Sequence, residues 1–129
     1  MVKKRAQDYC QKTGARLLPF GLDIPAIRQA LAEIARKLPI TPKEVWCVAG
    51  SGMLIRSLQQ AWPCAKFFAV RVGHEPNVGI ATLLPAPEKF DNDARSPPPF
   101  PSCGNYDAKA WQFIVKQASP GALFWNCAK

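Results

Sequence analysis

The strongest constraint on the fold is an apolar segment at residues 45–49 that leads into Gly50, Ser51 and Gly52, and then into a second apolar segment. The near-continuous apolar residues before the glycines predict a strand that is buried on both faces, as in a parallel sheet. The glycines predict a tight turn, and residues 53–62 have helical apolar spacing. This order places backbone N–H groups and the Ser51 hydroxyl at the positive end of a helix dipole, where phosphate binds favourably.

The Gly-Ser-Gly turn leaves two interpretations open. One is an anion site, because glycines let an oxyanion approach the backbone and Ser51 can donate its hydroxyl. The other is a tight strand-to-helix connection that binds no ligand. The segment lacks the Gly-Lys-Ser/Thr of a Walker loop, and Ile55 stands where a dinucleotide-binding fingerprint carries its third glycine.

The segments before this turn alternate between helical and extended patterns. Residues 2–12 predict a helix that ends near Gly14, and residues 15–20 predict a short strand. Residues 24–38 predict the clearest helix of the chain, with Asp23 as its N-cap. The expected buried stripe of that helix consists of Ile24, Ile27, Leu31, Ile34 and Leu38.

The segments on either side of the turn predict the fold class. Residues 43–49 and 66–72 predict two buried strands, joined by the helix at 53–62. With the earlier strand and helix they form a β-α-β-α-β run. Such a run predicts a three-layer Rossmann-like α/β domain, with a mainly parallel sheet of about four to five strands and helices on both faces.

The last third of the chain predicts an edge strand at 78–84, a helix at 106–118 and a final strand at 122–127. Between the first two lies a proline-rich loop at 85–105, which holds six of the thirteen prolines. A long irregular connection in a compact domain is often a lid or a wall of a site. It can equally be a surface wrap, and composition does not decide between the two.

Composition and charge narrow the function classes. The length of 129 residues predicts a single domain, and no apolar run approaches the roughly 18 residues of a membrane span. The N-terminus lacks the apolar region of a secretory signal. The five cysteines are odd in number and none are spaced as C-x-x-C, which favours reduced thiols in a cytoplasmic protein over a disulfide framework or a metal site.

The net charge of +8 raises nucleic acid as a partner, but the basic residues are dispersed and no stacking motif accompanies them. A basic surface that attracts small anions is therefore the favoured interpretation. The single histidine, His74, follows the strand at 66–72, so it is placed near the sheet edge where ligands bind. Without a visible serine or cysteine partner, a surface loop histidine is favoured over a catalytic one.

Four segments, taken in order, resemble the C-terminal portion of a fold-type II pyridoxal-phosphate enzyme of the 1-aminocyclopropane-1-carboxylate deaminase and D-cysteine desulfhydrase group. They are a strand that ends in proline and glycine, a phosphate-binding loop, a Tyr-x-Gly-Lys-Ala/Ser segment and a last strand. In this chain they correspond to residues 13–21, 48–53, 105–110 and 122–126. The resemblance covers nearly the whole chain, and it rests on order and spacing more than on any one motif.

The resemblance implies roles for individual residues. Gly50, Ser51 and Gly52 would hold the phosphate of pyridoxal phosphate, and Met53 would contribute a backbone N–H. Tyr106 corresponds to a tyrosine that lies near the substrate and acts in proton transfer. Asp107 corresponds to a carboxylate that faces the pyridine nitrogen and strengthens the ring as an electron sink. Without the resemblance, Tyr106 is interpreted as a core aromatic at a helix start, and Asp107 as a first-turn acid stabilised by the helix dipole.

The chain also departs from that family. Ala108 replaces a glycine, and Asn126 with Cys127 stands where the family often has His-Thr. The lysine that forms the Schiff base lies well upstream of the phosphate loop in these enzymes, and Lys109 does not correspond to it. We therefore expect a truncated or split relative that is inactive alone, and that performs lyase or deaminase chemistry on a small amino acid only if another chain completes it.

Two other functions remain open at this stage. The four tryptophans and seven phenylalanines are many large apolar residues for this length, which favours a non-catalytic binding module that forms a homo-oligomer or covers its apolar surface with a partner chain. The basic charge leaves a nucleotide- or nucleic-acid-binding α/β domain as the other alternative. The expected small-molecule partner is a phosphate-bearing compound, with nucleic acid disfavoured and no membrane partner.

Overall fold

The computed structural model describes residues 1–127, and its centre is a four-stranded, all-parallel sheet. The strands lie in the order β3–β2–β1–β4. Their bounds are β1 Glu44–Ala49, β2 Lys66–Arg71, β3 Thr82–Pro85 and β4 Leu123–Phe124. All six residues of β1 are buried, as expected for a central strand of a parallel sheet whose two faces are both covered. The predicted Rossmann-like α/β class is confirmed.

Helices cover both faces of the sheet. On one face, α3 (Met53–Ala61) packs on β1 and β2, and α2 (Pro25–Arg36) packs outside it against α3. On the other face lie a 3-10 turn at Asp107–Ala110 and α4 (Trp111–Gln117). The side chains of β1 alternate between the two cores. Val45, Cys47 and Ala49 belong to the α3 side, and Val48 belongs to the α4 side.

The first helix, α1 (Val2–Thr13), ends as expected at Gly14, which adopts a left-handed φ of 74°. None of the twelve residues of α1 is buried, so the helix lies outside both cores. Within the described residues 1–127, none of the helices has the length and apolar character that a bilayer crossing requires.

The expected strand at residues 15–20 is wrong. Residues 14–19 have no regular structure, and Phe20–Leu22 forms a 3-10 turn in which Gly21 and Leu22 have positive φ values of 67° and 54°. Residues 15–22 are all exposed, so the segment has no sheet neighbour that could hold it extended. Its apolar residues lie on the surface instead.

Helix α2 differs in detail from its prediction. Its contact with α3 runs through the small residues Ala32 and Ala35, which are buried, whereas Ile34 and Leu38 of the expected stripe are exposed. Ile24, Ile27 and Leu31 of the stripe are half-buried, so the predicted face of the helix is confirmed in part. The small side chains of Ala32 and Ala35 allow a close approach of the two helices. The N-cap is Ile24 and not Asp23, whose carboxylate binds Arg28 and Arg56 instead.

The last elements are shorter than expected. The edge strand begins at Thr82, and β4 pairs with β1 only at Leu123 and Phe124. The predicted helix at 106–118 is a 3-10 turn followed by α4, and Gln117 on its expected inner side is exposed. The proline-rich loop is irregular apart from the Pro85 strand end, as predicted.

Candidate functional site

The candidate site lies where β1 ends and α3 begins. Gly50, Ser51, Gly52 and Met53 form this connection, called here the 50–53 turn. Gly52 has a left-handed φ of 86°, and its carbonyl accepts the first helical hydrogen bond, from the Arg56 N–H at 3.2 Å. The Met53 N–H donates to Ser51 Oγ at 3.2 Å, so the serine side chain takes one of the N–H groups that a helix start leaves without an intrahelical partner.

Three segments of the chain lie so close to this turn that a side chain at the contacting glycine would collide with a neighbouring residue. A Cβ added to Gly52 would overlap the Asn77 carbonyl, and the Asn77 N–H donates to the Ser51 carbonyl at 3.1 Å. A Cβ on Gly50 would lie 2.9 Å from the Tyr106 hydroxyl oxygen. A Cβ on Gly21 would overlap the Ser51 side chain. The turn is therefore surrounded by parts of the chain that are distant in sequence.

These segments enclose a cavity of about 440 Å³, called here the turn cavity. Five of the six residues expected at the cofactor site line it: Gly50, Ser51, Gly52, Met53 and Tyr106. The other lining residues are Phe20, Gly21, Val48, Leu54, Phe90 and Cys127. The sixth expected residue, Asp107, does not line the cavity but is fully buried next to Tyr106.

Burial and the Asp107 charge control the titration of the groups around this cavity. Burial raises the pKa of Tyr106 to about 12, the negative charge of Asp107 adds to the shift, and a hydrogen bond from the Gly50 backbone opposes it. Burial and Asp107 raise the pKa of the Cys127 thiol to about 11. The pKa of the buried Cys47 thiol is also raised, chiefly by burial. Near neutral pH the phenol and both thiols are therefore protonated.

An ion-pair cluster holds together the segments that surround the 50–53 turn. The Asp23 carboxylate binds the guanidinium groups of Arg28 in α2 and Arg56 in α3. The hydrogen bond from Arg56 lowers the pKa of Asp23, burial opposes this, and Arg28 lowers it further. Arg56 Nε also donates to the Asn77 carbonyl at 3.0 Å. The cluster connects the Phe20–Leu22 turn, both helices and the segment at Asn77.

A second cavity of about 500 Å³, called here the edge cavity, adjoins the first at the carboxyl end of β2. It shares Phe20, Gly50 and Phe90 with the turn cavity. Its other lining residues are Arg71, Val72, Gly73, His74, Ala86 and Glu88. His74 thus lies near the sheet edge, as expected, and it is exposed, which agrees with the surface loop histidine that the sequence favoured.

The loop at 85–105 contributes to both cavities through a network that the sequence did not indicate. Lys109 is fully buried, and its ammonium donates to the carbonyls of Lys89 and Phe90 at 2.9 and 3.0 Å. The buried Glu88 carboxylate accepts from the Arg95 N–H and from the Gln112 side chain. Burial raises the pKa of Glu88, but these hydrogen bonds hold it below its ordinary value.

Sequence reasoning missed Phe20, Phe90, Arg71, Glu88 and Cys127 as lining residues. The position of Arg71 at the end of a strand next to β1 is a usable signal, because ligands bind beyond the carboxyl ends of parallel strands. Nothing in the local pattern around Phe20 or Phe90 indicates that the two phenylalanines share two cavities. Among residues 1–127, no group of three or more histidine, cysteine, aspartate or glutamate side chains is arranged to hold a metal ion.

Comparison with known proteins gives no relative. No family model matches the chain, and no curated protein and no solved structure shows significant similarity to it. Function is therefore inferred from the geometry described above together with the resemblance of the sequence motifs.

Proposed function

We propose that this domain binds the phosphate of a small cofactor, pyridoxal phosphate, at the 50–53 turn. The observation that carries the proposal is that Gly50, Ser51, Gly52, Met53 and Tyr106 line a single cavity. These residues come from two segments more than fifty positions apart in the sequence, and the family resemblance assigns both segments to the same site. A tight glycine turn at a helix start presents N–H groups and a hydroxyl to an anion.

The residues present fit this cofactor in kind. The phosphate would lie at the 50–53 turn, within reach of the Ser51 hydroxyl and the N-terminal end of α3. The Met53 N–H expected to hold it donates to Ser51 Oγ instead, so it would have to exchange that partner for the phosphate. The Tyr106 hydroxyl stays protonated through the neutral range, so it can donate a hydrogen bond or a proton to a group in the cavity. Asp107 is fully buried next to Tyr106 and does not line the turn cavity, so it would act on a bound group through Tyr106 and not by direct contact with the ring. When bound, the cofactor would supply an electron-withdrawing ring.

We further propose that this chain does not attach the cofactor covalently by itself. In the described part of the chain, the residues lining the turn cavity include no lysine, and the Lys109 ammonium is held by two backbone carbonyls. Lyase or deaminase chemistry on a small amino acid would then require a lysine from another chain. We also propose that the protein is located in the cytoplasm, because the cysteines of residues 1–127 are free thiols.

Equilibrium dialysis with pyridoxine phosphate tests the binding site. This compound has the same ring and phosphate but no aldehyde to react with surface lysines. We expect saturable binding that inorganic phosphate displaces. Ser51→Ala should weaken binding about tenfold, which corresponds to about 1.4 kcal/mol, because it removes a hydroxyl donor. The control is Ser96→Ala, at an exposed serine of the proline-rich loop. Binding that phosphate does not displace, or equal affinity in the two variants, would refute the proposal.

Borohydride reduction with pyridoxal phosphate tests the second claim. We expect scattered, substoichiometric labelling of surface lysines. One stoichiometric adduct at a single lysine would show that the chain completes its own site.

A second candidate function is a non-catalytic module that associates with another copy or a partner chain. Its support is a set of exposed large apolar residues in the first third of the chain. They are Leu17, Leu18, Phe20, Leu22, Ile34, Leu38 and Ile40. Exposed apolar residues in such numbers favour association. Sedimentation at increasing protein concentration should reveal a dimer or larger species, and a monomer at every concentration would count against this function.

A further inference from the structure

Phe20 and Phe90 occupy an unusual position in this fold. Each lines both the turn cavity and the edge cavity, so the two rings lie at the junction of the two spaces. Both remain largely exposed, at 75% and 63% of their surface. Large aromatic side chains usually lose far more surface when a chain folds. Exposed apolar residues are common in this chain, but these two differ from the others because their rings line two adjoining cavities, where a ligand can reach them.

The backbone around Phe90 is fixed by buried polar contacts. The ammonium of Lys109 donates to the carbonyl of Phe90 and to that of the preceding residue. The ring of Phe90 lies against Gly73, where an added Cβ would be 3.4 Å from its Cδ2. A fully buried ammonium is costly unless its donors are satisfied.

The backbone around Phe20 is fixed in a different way. The Leu22 N–H donates to the Pro19 carbonyl at 3.0 Å, which closes the 3-10 turn. Gly21 lies on the Ser51 side chain, and Asp23 binds two arginines of the neighbouring helices. The two phenylalanines are thus exposed side chains on well-fixed backbone, which is the arrangement of a preformed recognition site.

We propose that Phe20 and Phe90 form a subsite for a planar heteroaromatic ring, and that Lys109 acts as a positioning residue for Phe90. Aromatic faces bind planar rings by stacking or edge contacts, which a saturated ring cannot reproduce. The ring of a ligand seated here adjoins the 50–53 turn, because Gly50 lines the same two cavities. This inference rests on the proposed function only in assuming that the ligand also carries a phosphate. The preference of the subsite for a planar ring does not depend on that phosphate.

The test is an NMR titration of the full chain with ring compounds that carry no phosphate. The probes are pyridoxine, adenosine and cyclohexylmethanol, the last as a saturated ring. The variants are Phe20→Leu and Phe90→Leu, which keep an apolar side chain of similar size but remove the aromatic face. Phe100→Leu is the control, because Phe100 packs on Trp111 and lines neither cavity.

We expect pyridoxine or adenosine to bind weakly but saturably, and cyclohexylmethanol to bind more weakly than either. Each of Phe20→Leu and Phe90→Leu should reduce the ring affinity about three- to tenfold, while Phe100→Leu leaves it unchanged. The stronger of the two ring probes identifies the source of the ring, either a pyridine cofactor or a nucleotide. Lys109→Met should reduce ring affinity while the affinity for inorganic phosphate stays the same.

The outcomes separate this inference from the proposed function. Ser51→Ala should leave pyridoxine binding unchanged. If phosphate does not bind but ring binding still depends on both phenylalanines, the proposed function fails and the ring subsite stands. If neither ring probe binds, or if the saturated ring binds equally well, or if both phenylalanine variants bind like the wild type, the ring subsite is refuted.

Discussion

The backbone of Gly21 lies directly on the side chain of Ser51. A Cβ added to Gly21 would overlap Ser51 Oγ and lie 2.6 Å from Ser51 Cβ, and Gly21 has a φ of 67° that other residues rarely adopt. The contact joins an exposed segment outside the sheet to Ser51, whose Oγ accepts the Met53 N–H at the start of α3. The Phe20–Leu22 turn is therefore part of the candidate site, although the turn itself contains no buried residue.

Gly21→Ala should disturb this contact, and Gly14→Ala provides the matched control. Both glycines have left-handed φ values, but an added Cβ at Gly14 meets nothing within 4 Å. We expect Gly14→Ala to lower the free energy of unfolding by about 1 kcal/mol through backbone strain, and Gly21→Ala by about 2–4 kcal/mol through strain and overlap. Urea denaturation measures both. Equal losses in the two variants would show that the contact with Ser51 contributes nothing.

Gly52→Ala tests the start of α3 in the same way. Gly52 combines a φ of 86° with a close approach to the Asn77 carbonyl, whereas Gly121 has a φ of 79° and no neighbour within 4 Å of an added Cβ. We expect Gly52→Ala to destabilise the fold by about 1–3 kcal/mol more than Gly121→Ala, because backbone cannot move aside as a flexible side chain can. Affinity for inorganic phosphate should fall only in Gly52→Ala. Unchanged phosphate affinity in that variant would contradict the assigned site.

The titration of Tyr106 can be measured directly, because the chain has two tyrosines. In a Tyr9→Phe variant, phenolate absorbance reports Tyr106 alone. We expect a midpoint at about 12 instead of the ordinary 10.0, because burial and the Asp107 charge both disfavour the phenolate. A midpoint near 10.0 in the folded protein would show that Tyr106 is not buried beside Asp107.

The same shifts predict loss of stability in alkali. The folded chain retains the protons of Cys127 and Tyr106 to a higher pH than the unfolded chain does, since burial raises both pKa values. Stability should therefore fall as pH rises from the unfolded value of 9.0 for the thiol to about 12 for the phenol. Tyr106→Phe should make the upper part of this fall shallower. Chemical denaturation across this range measures the slope, and identical slopes in the two proteins would contradict the assignment.

Asp23→Asn should remove the two ion pairs that connect the Phe20–Leu22 turn to α2 and α3. We expect a loss of about 1–2 kcal/mol near neutral pH, since the three side chains are only partly buried and solvent screens their charges. The pKa of Asp23 is lowered in the fold, so this contribution is present above its unfolded value of 3.8 and disappears as pH falls through the lower, folded value. The difference between wild type and variant should vanish in strong acid. Asp8→Asn, at an exposed residue of α1, is the control.

The sheet centre was predictable from sequence because its strands are buried on both faces. The observed β1, α3 and β2 begin or end within one residue of their expected bounds. The segment at 15–20 misled the prediction because Leu17, Leu18 and Phe20 are apolar yet exposed. A short apolar run cannot distinguish a strand from an irregular segment on the surface. The stripe predicted for α2 is right only in part: Ile24, Ile27 and Leu31 are half-buried, but the fully buried residues are Ala32 and Ala35, whose small side chains allow close helix packing.

The candidate site was predictable only in part. The 50–53 turn was predictable from its local Gly-Ser-Gly pattern, whereas Tyr106 was predicted as a site residue only through the resemblance to a family. Phe20 and Phe90 could not be predicted, because they line the same two cavities only when two irregular segments fold over one sheet edge. Lys109 was equally hidden, since a lysine at a helix start is normally solvated and here is fully buried.

The most direct test of the central claim is a crystal structure of the chain with pyridoxine phosphate. We predict that the phosphate lies at the 50–53 turn, within hydrogen-bond distance of Ser51 Oγ, with the ring next to Tyr106. A phosphate bound elsewhere on the basic surface, or a turn cavity that stays free of ligand at saturating concentration, would contradict the account.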